Sequence, residues 1–193
     1  MNILLDKVSK QYNGKWIFKG VTCSFTVGNC SAVVGKNGSG KSSLLKIISG
    51  YSLPTGGKII FSNCVSEIAT EEIYRYISVS SPHIEIVEDF SLSEMIAFQC
   101  KFKPFRNAIS QEDILKILQM SSHRDKLLKH FSSGMKQRVQ LALAVLADTP
   151  VLLLDEPLNN LDDGSVKWYS DLIAAHRSNR TVIVFSNRVQ EEY

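Results

Sequence analysis

From Gly35 to Ser42 the chain reads Gly-Lys-Asn-Gly-Ser-Gly-Lys-Ser, the spacing G-x-x-x-x-G-K-[ST]. This stretch constrains the fold more than any other, because the pattern works only where a strand runs into a glycine loop that opens a helix. Both flanks comply. Ser31-Ala32-Val33-Val34 reads as a short buried strand, and Ser43-Leu44-Leu45-Lys46-Ile47-Ile48 has the apolar spacing of a helix ended by Gly50. The glycines let successive backbone N–H groups point into one concavity, to which the new helix adds the partial positive charge of its N-terminus. Polyphosphate is the natural occupant. The candidate phosphate-binding residues are therefore Gly35, Lys36, Asn37, Gly38, Ser39, Gly40, Lys41, Ser42 and Ser43. Lys41 is placed to reach the β- and γ-phosphates, and the Ser42 hydroxyl to take one position on Mg²⁺.

A second stretch answers the first. Val151-Leu152-Leu153-Leu154-Asp155-Glu156 is four apolar residues ending in two acids, the pattern of a buried central strand whose C-terminal edge opens on a ligand crevice. Two acids alone could simply be solvated at a strand end, but a phosphate loop upstream requires an acid here. Asp155 is expected behind Mg²⁺, and Glu156, one residue on, to orient and deprotonate an attacking water. Just before this strand, Phe131-Ser132-Ser133-Gly134-Met135 leads into a helix with Val139, Ala142, Leu143 and Leu146 on one face. Serines at a helix start are usually caps, yet such a start is also an anion site, and this stretch in isolation leaves both open.

Between these landmarks Ile3–Val8 and Phe18–Phe25 look like strands joined across an Asn13-Gly14 turn, so a small antiparallel β unit precedes the loop. Lys58–Phe61 and Tyr76–Ser80 read as further strands. From about Ser91 the character turns helical: Leu92, Met95, Ile96 and Gln99 share a face after a Ser91 cap, and Ile114, Leu115, Ile117 and Leu118 share another after Ser110. Phe98 suits a core; Phe102 and Phe105 could be core or docking surface.

With 193 residues, 44% hydrophobic and 21% charged, one domain is expected. The net charge of +3 is scattered rather than blocked, so nothing demands a nucleic-acid partner. Cys23, Cys30, Cys64 and Cys100 are too far apart for a C-x-x-C zinc site or a disulfide framework, which favours reduced cytosolic thiols. No run approaches the roughly 18 apolar residues of a membrane helix, so service to a membrane would be by docking.

Taken together, these features resemble the ATP-binding subunit of ABC transporters, in the right order and over nearly the whole chain. Gly35–Ser42 is similar to the family's Walker A motif, and Val151–Glu156 to Walker B with its catalytic glutamate. Ser132-Ser133-Gly134-Met135 is similar to the signature L-S-G-G-Q, with Phe131 for Leu, Ser133 for the first Gly and Met135 for Gln. Asn160-Leu161-Asp162 resembles the D-loop, and Tyr12 stands where the family has an aromatic that stacks on adenine.

The resemblance implies an α/β fold: a P-loop NTPase core of mainly parallel sheet, an N-terminal antiparallel β subdomain and an inserted α-helical subdomain over about 83–135. It implies MgATP hydrolysis, with Glu156, Lys41 and a switch residue as the catalytic groups. It also implies a second ATP-binding subunit, met through Ser132, Ser133, Gly134 and Asp162, and a membrane-embedded permease on whose cytoplasmic side the chain would sit. Ser133 and Gly134 would bind the γ-phosphate held by the partner's Lys41.

Three departures matter. Pro82 stands where a glutamine is expected, and proline has no side chain to reach metal or water. Asn187 stands at the switch position in place of histidine; its amide can hydrogen-bond phosphate but cannot carry imidazolium charge. The chain also stops at Tyr193, where the family usually continues with a further strand and helix. Losing one positioned polar group commonly costs roughly 10²- to 10³-fold in rate, so turnover is expected to be slow with binding intact. The alternative expectation is an ATP-switched binding subunit with little sustained hydrolysis, which Pro82 and Asn187 favour and Glu156 opposes.

Overall fold

The computed structural model describes residues 1–187. It opens with a hairpin of two long strands, β1 (Asn2–Tyr12) and β2 (Lys15–Phe25). Asn13 and Gly14 both take positive φ, 47° and 78°, which is what a two-residue turn needs to match the twist of its strands. Then follow β3 (Cys30–Val34), α1 (Lys41–Ile48), β4 (Gly56–Ser62), β5 (Glu67–Ile68) and β6 (Ile77–Ser80). A helical stretch comes next, with α2 (Leu92–Phe102), α3 (Gln111–Leu118) and α4 (Ser133–Leu146). The chain returns through β7 (Val151–Asp155), α5 (Asp163–His176) and β8 (Thr181–Ser186).

Two sheets result. The antiparallel one runs in the order β2-β1-β4-β5, and the parallel one in the order β3-β8-β7-β6. Strand periodicity explains how the parallel sheet holds two layers apart. Leu152 and Leu154 of β7, with Val182 and Val184 of β8, face a core shared with α2 to α5. Val151, Leu153, Ile183 and Phe185 face the opposite way, into a core shared with α1, β1 and β4. Both faces of these strands are covered, which is why their sequences are unbroken apolar runs rather than alternating ones.

β3 departs from expectation. It is the edge of the parallel sheet, with Cys30 to Val33 half-buried and Val34 exposed, rather than a buried strand. α5 and β5 extend the sequence reading. α5 carries its own signals: Asp162 caps it by accepting the Ser165 N–H at 2.8 Å, and Trp168, Tyr169, Leu172 and Ile173 recur at helical spacing on its buried face.

In the helical layer the Ser91 cap is a full capping box: its hydroxyl accepts the Glu94 N–H, and the Glu94 carboxylate accepts the Ser91 N–H at 2.7 Å. The phenylalanines divide. Phe105 is buried and Phe98 packs partly buried on the core, whereas Phe102 is exposed and meets Phe98 edge-on at 4.9 Å. A buried Arg180 joins the layers, donating to Val145 O at the end of α4 and to the hydroxyls of Ser78 and Thr149. Burial pushes its guanidinium down to about 10. Among the described residues no helix is long and apolar enough to cross a membrane.

Candidate functional site: a phosphate loop facing two acids

Parallel strands bring their C-terminal ends to one edge of the sheet, and there the loop before α1 meets the end of β7. The Gly35 N–H donates to Ser186 O at 3.2 Å, so the loop starts against the end of β8. Two of its glycines sit in close quarters. A Cβ on Gly35 would stand 2.6 Å from Ser39 Oγ. Gly40, at φ 98°, would direct a Cβ to 2.8 Å from Ile17 and 3.0 Å from Phe18 of β2. The antiparallel sheet therefore lies directly against the loop.

Lys41, the first residue of α1, is buried and folds back over the loop. Its ammonium donates to Gly35 O at 2.7 Å and to Lys36 O at 3.4 Å. It also stands 3.6 Å from Glu156 Oε1, with both side chains largely enclosed. Asp155 is buried, and its Oδ2 accepts the Ser81 hydroxyl at 3.0 Å. In an uninterrupted strand Glu156 would point opposite to Asp155. Instead Glu156 takes a left-handed φ of 47°, held by its N–H donating to Phe185 O at 2.8 Å, and both acids line one cavity. Such a conformation is unfavourable for a residue with a side chain and is retained only where the surroundings enforce it. Glu156 Oε2 is buried with no hydrogen-bond partner.

The cavity measures about 490 Å³ and is walled by the loop residues Asn37, Gly38 and Gly40 to Ser43, by Asp155 and Glu156, and by Ile17, Pro82, His83 and Asn159. The structure thus gathers Asn37, Gly38, Gly40 to Ser43 and both acids into one space, whereas Gly35, Lys36 and Ser39 are not part of its lining. Tyr12 ends β1 as an exposed ring with the Lys10 ammonium 5.0 Å from its centroid, and it does not line this cavity. Neither do Ser132, Ser133 and Gly134, which start α4, nor Asn160 to Asp162. These two stretches touch each other: a Cβ on Gly134 would lie 3.0 Å from Asn160 O. Ser132 serves as a cap, its hydroxyl accepting the Met135 N–H at 3.2 Å. Asn187 follows the end of β8 and is exposed. Ile17, Ser81, His83 and Asn159 entered the site unannounced; only Ser81 and His83, beside Pro82, sat in a stretch the sequence had marked.

A divalent ion fits this donor set. The Ser42 hydroxyl and the Asp155 carboxylate are hard oxygen ligands of the kind Mg²⁺ takes together with substrate phosphates. Among the described residues no group of three His, Cys, Asp or Glu side chains is arranged to hold an ion unaided.

Comparison with known proteins agrees with this geometry. The ABC transporter family model matches residues 18–159. The chain is 32% identical over 199 residues to the human ATP-binding cassette sub-family A member 6, covering 98% of this chain and 12% of that protein. It is 30% identical to the spermidine/putrescine import ATP-binding protein of Legionella pneumophila, covering 98% of this chain and 53% of the other. It thus spans about an eighth to a half of these relatives' lengths. Among solved structures, an ABC transporter ATP-binding protein of Pyrococcus furiosus superposes with a TM-score of 0.83 at 23% identity, covering 98% of this chain and 92% of the other. A dimeric bacterial ABC transporter cassette superposes at 0.82, also at 23% identity, covering 98% and 90%. Their likeness is one of fold. The chain belongs to the ABC transporter family, as a nucleotide-binding domain with the α/β fold of a P-loop NTPase.

Proposed function

We propose that this chain, as a single ATP-binding domain whose helical subdomain covers about 83–135, binds and hydrolyses ATP to drive transport through a separate membrane permease. The observation that carries this reading is Glu156: a carboxylate held by a strained backbone beside Lys41, with one oxygen buried and unpartnered in the loop's cavity. Unpartnered buried oxygens are costly, and one facing the place of the terminal phosphate is suited to accept a proton from water. The Lys41 ammonium donates to two neutral loop carbonyls, which an arriving polyphosphate replaces with charged acceptors. Ser42 and Asp155 would hold Mg²⁺, which supplies charge neutralisation at the phosphates when bound.

Ser132, Ser133, Gly134 and Asp162 lie away from this chain's own cavity, which supports a role toward the nucleotide of a second such subunit. The dimeric solved cassette supports the same pairing, and the relative named for spermidine/putrescine import supports transport. Attachment to a permease places the working site at the cytoplasmic face. Without a polar side chain at Pro82 or an imidazole at Asn187, turnover runs about 10²- to 10³-fold slower than with such a group present. Pairing is tested by sedimentation of Glu156→Gln. ATP is expected to convert it from monomer to dimer and to leave Lys41→Ala monomeric. A Glu156→Gln protein that binds ATP but stays monomeric would contradict pairing between like copies.

A further inference from the structure

A second cavity of about 380 Å³ adjoins the first, lying between α1 and β6. Three residues line both: Ser42, Asp155 and His83. Residues bearing a hydroxyl, a carboxylate and an imidazole thus border both spaces, and the first two carry the groups fitted to a divalent ion. His83 is tied to that carboxylate through the backbone: its N–H donates to Ser81 Oγ at 3.4 Å, and Ser81 Oγ donates to Asp155 Oδ2 at 3.0 Å. Pro82 between them fixes φ and offers no donor or acceptor from its side chain, so His83 is the next residue of this segment able to act. It is the sole imidazole lining either cavity.

Resting on the proposed ATP site, we propose that His83 is a third protein ligand of the divalent ion that enters with ATP, giving the site one nitrogen beside its oxygens. An imidazole is a poor partner for Mg²⁺ and a good one for softer ions such as Co²⁺. The site therefore discriminates less strongly in favour of Mg²⁺ than an all-oxygen site does.

The test titrates Co²⁺ and Mg²⁺ into wild type, His83→Gln and His83→Ala, each loaded with a non-hydrolysable ATP analogue, and follows heat and the visible cobalt spectrum. His123, His130 and His176 are common to all three proteins and cancel in the comparison. Wild type is expected to favour Co²⁺ over Mg²⁺ about 10- to 100-fold more than His83→Gln does, with a change in cobalt absorption on substitution. His83→Gln, which returns an oxygen, is expected to keep Mg²⁺ affinity, and His83→Ala to lower affinity for both ions. An unchanged preference and cobalt spectrum in both variants overturns the ligand role while leaving nucleotide binding standing. Failure of wild type to bind the analogue at all overturns this inference and the ATP site together.

Discussion

Glu156 owes its direction to its backbone, and Gly40 owes its identity to the neighbours across the sheet. A side chain at position 40 has to sit at φ 98° and push into Ile17 and Phe18. Strain of this sort costs on the order of 1–3 kcal/mol, so Gly40→Ala is expected to weaken ATP binding about 10- to 100-fold in a calorimetric titration. Unchanged affinity would mean that the β2 contact yields. Lys41, Ser42, Asp155 and Glu156 were legible in the sequence because spacing along one chain fixes them: the loop must open α1, and the acids must end β7. Ile17 and His83 were not. They reach the cavity from β2 and from the segment after β6, and only strand order puts those near the loop. The strained φ of Glu156 was invisible for the same reason, since it is enforced by Phe185 of the neighbouring strand.

Elements read well where their ends carry chemistry. The Ser91 cap and the Ser110 cap were plain in the sequence, and each has its bond: the Ser110 hydroxyl accepts the Asp113 N–H at 3.2 Å. Ser91→Ala is expected to lower stability by about 1 kcal/mol in denaturant unfolding, with no change in ATP affinity. A neutral result would mean that neighbouring groups take over the Glu94 N–H. The two Ser91 bonds hold the Glu94 carboxyl below its usual range. Its share of the stability is therefore present above the unfolded carboxyl's pKa and lost as pH falls through the lower folded one. β3 shows the limit of reading by element. Its residues look like any buried strand, but burial depends on having a neighbour on each side, and among the described residues β3 has only β8. α5 was legible in hindsight from Asp162 and its apolar spacing; the same Asp162 had drawn notice as a motif residue.

At the scale of the whole molecule, the buried Arg180 joins the helical layer to the parallel sheet, and the half-buried Arg106 ties the segment after α2 to the end of α5. Arg106 donates to His176 O and Ser178 O, and Arg180 to Val145 O, so two guanidinium groups lie near the His176 ring. Burial first, then Arg106 and Arg180, push the His176 imidazole below its ordinary value. The folded state thus resists protonation more than the unfolded chain does. Stability from this group is full above the unfolded pKa of about 6.5 and is lost as pH falls from there toward the lower folded value. His176→Gln is expected to flatten the fall in melting temperature between about pH 7 and pH 5; an unchanged slope would assign the acid sensitivity elsewhere. The division of the sheet into two cores was implicit in the apolar runs of β7 and β8, whereas the identity of each covering layer required the connections. Steady-state ATP turnover, compared across wild type, Glu156→Gln and Lys41→Ala with ATP affinity measured alongside, tests the account most directly. Turnover is predicted to be slow but measurable in wild type and to fall about 10²- to 10⁴-fold in Glu156→Gln with ATP still bound, while Lys41→Ala loses both. A Glu156→Gln protein that hydrolyses ATP at the wild-type rate would contradict it.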